Sequence, residues 1–116
     1  MRAIAINTKS EISEHHFERG ESYDLLSDSV GGMIECVSLS DKIDMWINEE
    51  GKVYNFDLNP LATAIWEHKY GKTDIIVGDV ILTGGVDEEG ETLGLSDDIF
   101  EKLWTVFSRA KEELFV

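Results

Sequence analysis

The C-terminal segment SDDIFEKLWTVFSRAKEELF (96–115) constrains the fold more than any other stretch. Ile99, Leu103, Val106, Phe107, Ala110 and Leu114 recur at helical spacing and share one face, with Phe100 and Trp104 flanking it. Ser96 is suited to cap this helix, and Asp97 and Asp98 favour the positive end of its dipole. Lys102, Arg109 and Lys111 come later along it. The spacing therefore predicts a long amphipathic helix over about 97–114. A helix with one broad apolar face is stable only against a second layer, which the remaining residues must supply.

They read mostly as strands. In RAIAIN (2–7), Ile4 and Ile6 share one face, with Ala3 and Ala5 on the other. MIECVSL (33–39) alternates in the same way, as does IDMWIN (43–48), and KVYNF (52–56) follows, so 33–56 reads as a three-stranded antiparallel meander. DIIVGDVILTGG (74–85) is the richest in Ile and Val, with Gly78 marking a bulge or a close backbone approach. TKSEISEHHFERGES has weak periodicity and reads as a loop or a poor helix.

Two shorter helices complete the pattern. SYDLLSDSV (22–30) starts at Ser22, a plausible cap, and stops at Gly31 and Gly32. In LNPLATAIWEHKYGK, Asn59 is a favoured cap and Pro60 takes the first helical position, where a missing N–H costs nothing. Leu61, Ala64, Ile65 and His68 form an i, i+3, i+4, i+7 stripe, and Gly71 closes the segment. The expectation is a single α+β domain over residues 1–116: a mostly antiparallel sheet of four to six strands with helices packed on one face.

At 116 residues and 42% hydrophobic content, the chain is long and apolar enough for one real core. No run approaches the roughly 20 apolar residues of a membrane span, and MRAIAINTKSE lacks the apolar core of a signal peptide. The lone Cys36 can form no intramolecular disulfide. These features together predict a cytoplasmic protein that does not engage membranes.

Charge is the extreme property. Ten bases against 24 acids leave a net charge of -14. Direct nucleic-acid binding is disfavoured, because phosphate contacts need clustered Lys and Arg. The densest segment, Asp79 to Glu101, holds Asp79, Asp87, Glu88, Glu89, Glu91, Asp97, Asp98 and Glu101 without a base. The general reading of such acid is solubility. The sharper one is a surface aimed at a basic, DNA-binding partner.

NEEG (48–51) and DEEG (87–90) bear on that choice. An EF-hand loop needs oxygen ligands at positions 1, 3 and 5, Gly at 6 and Glu at 12. Counting from Asp87 puts Thr92 at the glycine position, and counting from Asn48 puts Lys52 at a ligand position, so both fail. Type I turns closed by a glycine bulge fit better: Asn or Asp bonds the backbone two residues on, and Gly takes the positive φ.

No catalytic pattern stands out. His15 and His16 are adjacent, so on a strand they face opposite ways, and no zinc-ligand spacing includes them. They read as part of a solvated loop. Cys36 lies beside Glu35 in a strand and reads as a buried structural thiol, blunted by nearby carboxylate. No nucleophile elbow, Walker or dinucleotide fingerprint is present. No cofactor is implied.

The succession VGGMIECVSL, INEEGKVYNFDLNPLATAIW and GDVILTGGVDEEGETLGLSDD resembles a family of small uncharacterised domains encoded largely by bacteriophages and plasmids. The resemblance covers about residues 30–100 and leaves the N-terminal 20 residues and the C-terminal helix outside it. It implies a mobile-element accessory protein acting in a bacterial cytoplasm, and it supplies no catalytic residues.

Two functions follow as expectations. The leading one is a non-enzymatic acidic module that binds a host or phage protein, in its sharpest form a DNA mimic or anti-defence inhibitor. Asp79, Asp87, Glu88, Glu89, Glu91, Asp97 and Asp98 would form its surface. The other is a small-molecule or nucleotide-binding domain with a pocket near the 59–68 helix, where Asn59, Thr63 and Trp66 are the residues of interest.

Overall fold

The computed structural model describes residues 1–115, with side chains for 1–110 and 112. Five strands, β1 (Arg2–Ile6), β2 (Ile12–His16), β3 (Ile34–Ser40), β4 (Ile43–Asn48) and β5 (Val80–Thr83), form one sheet. Its order is β2-β1-β5-β4-β3, with every neighbouring pair antiparallel. Three helices pack on it: α1 (Ser22–Val30), α2 (Pro60–Tyr70) and α3 (Asp97–Phe115). The α+β class follows the expectation, including the C-terminal helix.

The strand alternation determines which residues meet which helix. Ile4, Ile6, Val37, Met45 and Leu82 point to one face, where they form the main core with Leu61 of α2 and Phe100 and Phe107 of α3. Ala3 and Ile81 point to the other, where Leu26 and Val30 of α1 cover them together with Phe17. Helices therefore lie on both faces, not on one. The reason is β5: all four of its residues are buried, and a strand apolar on both faces needs a layer on each side.

Three local expectations give way. The stretch TKSEISEHHFERGES is not loop or helix throughout, because Ile12–His16 within it pairs with β1 in register Ile4↔Glu14 and Ala5↔Ser13. Its mixed polar sequence suits an edge strand. KVYNF is not a strand but a series of turns, so the meander has two strands. The Ile/Val-rich run yields a strand only at Val80–Thr83, because Gly78 breaks it with φ +78. A Cβ there would meet the Phe56 ring at 2.8 Å, so the close approach read from the sequence is real and residues 74–78 turn away from the sheet.

Candidate functional site

The two acidic tetrapeptides part company. DEEG is the expected hairpin turn: the Gly90 N–H donates to Asp87 O at 3.0 Å, Asp87 Oδ1 accepts from Glu89 and Glu91 N–H, and Gly90 has φ +81. NEEG does not join two strands. Its Asn48 side chain accepts from Glu50 N–H at 2.8 Å, but Asn48 is buried and donates to Val30 O, and Gly51 leads into the turns before α2.

Arg19 lies against the DEEG hairpin. Its guanidinium donates to Asp87 Oδ2 at 2.7 Å and to Glu89 Oε2 at 2.8 Å. The bond from Arg19 holds the Asp87 carboxyl below its usual range, helped by the backbone donors of Glu91 and Glu89. At the start of α3, Arg2 donates to Asp97 at 3.0 Å and to Glu14 at 3.1 Å, and its guanidinium stacks on Phe100 at 3.6 Å. Asp97 and Glu101 are therefore partnered acids. Asp79 accepts from Thr8 N–H at the far end of β1. Glu88 and Asp98 are exposed, and Glu91 is half-buried. The acidic segment thus divides into a hairpin group, a group at the start of α3, and a separate Asp79. Among the described residues, no group of three or more His, Cys, Asp or Glu is placed to hold a metal ion.

An apolar concave feature lies on the main-core face between α2 and α3. It is a groove of about 580 Å³ floored by Leu82 and walled by Leu61, Ile65, Leu103 and Phe107. Among the described residues, every lining side chain is apolar except His68 and Lys69. The stripe Leu61, Ala64, Ile65 and His68 of α2 supplies one wall. Opposite it, Val106 remains 57% exposed on α3, although it belongs to that helix's apolar face.

Of the three pocket residues named from the sequence, none lines this groove. Asn59 is fully buried, and its Nδ2 donates to Ile6 O at 3.1 Å and Gly78 O at 2.9 Å. Its Oδ1 accepts from Ala62 N–H, so Asn59 caps α2 and ties it to β1. Thr63 exchanges bonds with the Ile76 backbone. Trp66 lines a smaller hollow beside β3 and donates to Thr73 Oγ1 at 3.0 Å. Helical spacing explains the difference: 59, 63 and 66 point toward the strand edge and the 74–77 segment, whereas 61, 64, 65 and 68 face α3.

Other chemistry-bearing side chains are dispersed. His15 and His16 lie in β2, with His15 against Ser13 Oγ and His16 Nε2 at 2.7 Å from Glu14. Cys36 is exposed rather than buried, because its side chain lies on the α1 face beyond the area α1 covers. Shielding of its sulfur, and then the Asp44 carboxylate beside it, push the thiol up to about 11. Asp44 itself is buried and raised by that burial.

No helix among the described residues is long and apolar enough to cross a membrane. No curated protein and no solved structure gives a match to this chain. One family model matches residues 1–108, a span that takes in the N-terminal hairpin and much of α3, and so exceeds the 30–100 stretch of the sequence resemblance. The chain belongs to the family described as Domain of unknown function (DUF3846).

Proposed function

We propose that the protein is a non-catalytic binding domain whose α2–α3 groove takes an apolar small molecule with one polar or anionic end. The observation that carries this reading is the groove's lining. In a chain of net charge -14, its polar margin among the described residues is His68 and Lys69, with no carboxylate among them. Its volume falls within the roughly 300–1,000 Å³ typical of small-ligand sites. Apolar walls would bury the body of the ligand, and Lys69 and His68 would meet its polar end. In this reading the domain works in the bacterial cytoplasm as a mobile-element accessory protein, in keeping with the sequence resemblance.

The test is a thermal-shift panel of medium-chain fatty acids, aromatic carboxylates and nucleotides, run on the native chain and on Ala64→Phe, which would fill the groove. Stabilisation by several degrees from an amphiphile, lost in Ala64→Phe, is the expected result. A panel without any shift, or a shift that survives Ala64→Phe, rejects the groove as the site.

A second reading keeps the acidic hairpin as a surface for a basic, DNA-binding partner protein. It is favoured by the exposure of Glu88 and Glu89 at the hairpin tip, and opposed by the partnering of Asp87 and Glu89 with Arg19. Reversing Asp87, Glu88, Glu89 and Glu91 to Lys would abolish capture of such a partner. Unchanged capture removes this reading.

A further inference from the structure

The sheet ends at β3, and its outer edge is open. Met33 O accepts from Glu49 N–H at 2.8 Å, so the backbone of Met33 faces β4. By the alternation of an antiparallel ladder, Glu35 and Val37 face β4 as well, and the N–H and C=O groups of Ile34, Cys36 and Ser38 face outward. Tyr70 confirms the parity, since its hydroxyl donates to Ser38 O. Glu35, Cys36 and Ser38 are all exposed. Sheet proteins usually blunt such an edge with Lys, Pro or a covering segment. Here β3 carries neither Lys nor Pro, and its irregularity comes only at Ser38/Ser40.

The ground beside this edge is acidic. A hollow of about 150 Å³ lies next to β3, lined by Glu35, Val37, Trp66 and Ile75, with Glu49 at its margin. Lys52 also lines it, but it is paired with Asp74. Ile75 is 50% exposed, so apolar surface is available beside the carboxylates. A second copy of the chain fits poorly, because it brings another charge of -14 and its own exposed Glu35 to the same seam.

We infer that the outer edge of β3 docks an extended, basic segment of a partner protein, which joins the sheet as a sixth strand. The backbone of Ile34 and Cys36 and the Ser38 N–H supply the ladder. Side chains at every second position of the incoming strand reach the hollow, where a Lys or Arg stem crosses Trp66 and its charge meets Glu35 and Glu49. Tyr70 limits the register by occupying Ser38 O. This edge is distinct from the α2–α3 groove and does not depend on it.

The experiment is amide hydrogen exchange on the full chain with two pools of acetylated octapeptides. Both carry Val, Ile or Thr at alternate positions; one has Lys or Arg between them, the other Asp or Glu. The basic pool should slow exchange at Ile34, Cys36 and Ser38 by about tenfold or more, leaving Val37, already in the ladder, unchanged. Cys36→Pro removes one outward N–H from an edge strand, where Pro is tolerated, and should abolish the effect. Tyr70→Phe frees Ser38 O and should strengthen it, which decides the matter if Cys36→Pro does not fold. The inference is overturned by absence of slowing with the basic pool, by equal slowing with the acidic pool, or by slowing that grows with protein concentration alone, the mark of a second copy on the edge.

Discussion

Ser10 and Gly90 hold the same position in two hairpin turns built alike. In each, the first residue of the turn accepts two backbone N–H groups on its side-chain oxygen: Asn7 from Lys9 and Glu11, Asp87 from Glu89 and Glu91. In each, the fourth residue donates to the first residue's carbonyl and has positive φ, 60° for Ser10 and 81° for Gly90. NTKS is therefore the structural twin of DEEG, whereas NEEG, the nearer match in letters, is not.

Ser10 bears a strain that Gly90 avoids. Its hydroxyl is buried without a hydrogen-bond partner, and a side chain in the left-handed region costs about 1–2 kcal/mol. Ser10→Gly should raise stability by about 1 kcal/mol after allowance for the freer unfolded chain. Urea unfolding is the measurement, with a higher midpoint at unchanged slope. Gly90→Ser should lower stability by a similar amount.

Asn59→Ala should cost about 2–4 kcal/mol, the sum of a lost helix cap and two abandoned buried carbonyls. Those carbonyls belong to Ile6 and Gly78. Asn59→Asp should also destabilise, since a carboxylate presents an acceptor where the amide now donates. Denaturant curves for both variants, with ligand binding measured on whatever remains folded, separate this structural role from a pocket role.

Cys36 should react slowly despite its exposure. With the thiol pushed from 9.0 to about 11, its thiolate fraction near neutral pH is about a hundredfold lower than that of an unperturbed thiol. Alkylation by iodoacetamide should be slow at neutral pH and accelerate up to about pH 11. Asp44→Asn removes one of the two causes and should speed the reaction in part, since shielding is the larger.

Asp44→Asn should also raise the melting temperature near neutral pH. The folded chain raises the Asp44 pKa above its unfolded value, so stability is lost as pH rises from the unfolded value through the folded one, and the penalty is complete above both. In acid, where the carboxyl is protonated in both states, the variant and native chains should converge. Scanning calorimetry across that range is the check.

The Arg19–Asp87 pair has the opposite sign. Asp87 titrates below its ordinary 3.8 when folded, so the pair contributes above that value and fades as pH falls through the folded midpoint. Carbon-detected NMR titration of Asp87 should show the midpoint rising in Arg19→Ala. An unmoved midpoint would mean that the backbone donors of Glu91 and Glu89 hold the carboxylate alone.

Local chemistry settled much before folding. The stripe in 97–114 specified α3, Asn59-Pro60 placed the start of α2, and DEEG dictated its own turn, because each depends on residues within a few positions of one another. Tertiary structure decided the rest. Whether Ile12–His16 pairs as a strand depends on β1, and whether KVYNF does depends on the free edge of β4, which β5 occupies instead. The face on which α1 lies follows from β5 being apolar on both sides. The groove exists because Leu61, Ile65, Leu103 and Phe107, each legible as a helix stripe, converge from segments some forty residues apart. The partners of Asp87 and Asp97 were hidden for the same reason: Arg19 and Arg2 lie 68 and 95 residues away in the chain. A pattern within one segment shows which side chains share a face, but only packing determines what that face meets.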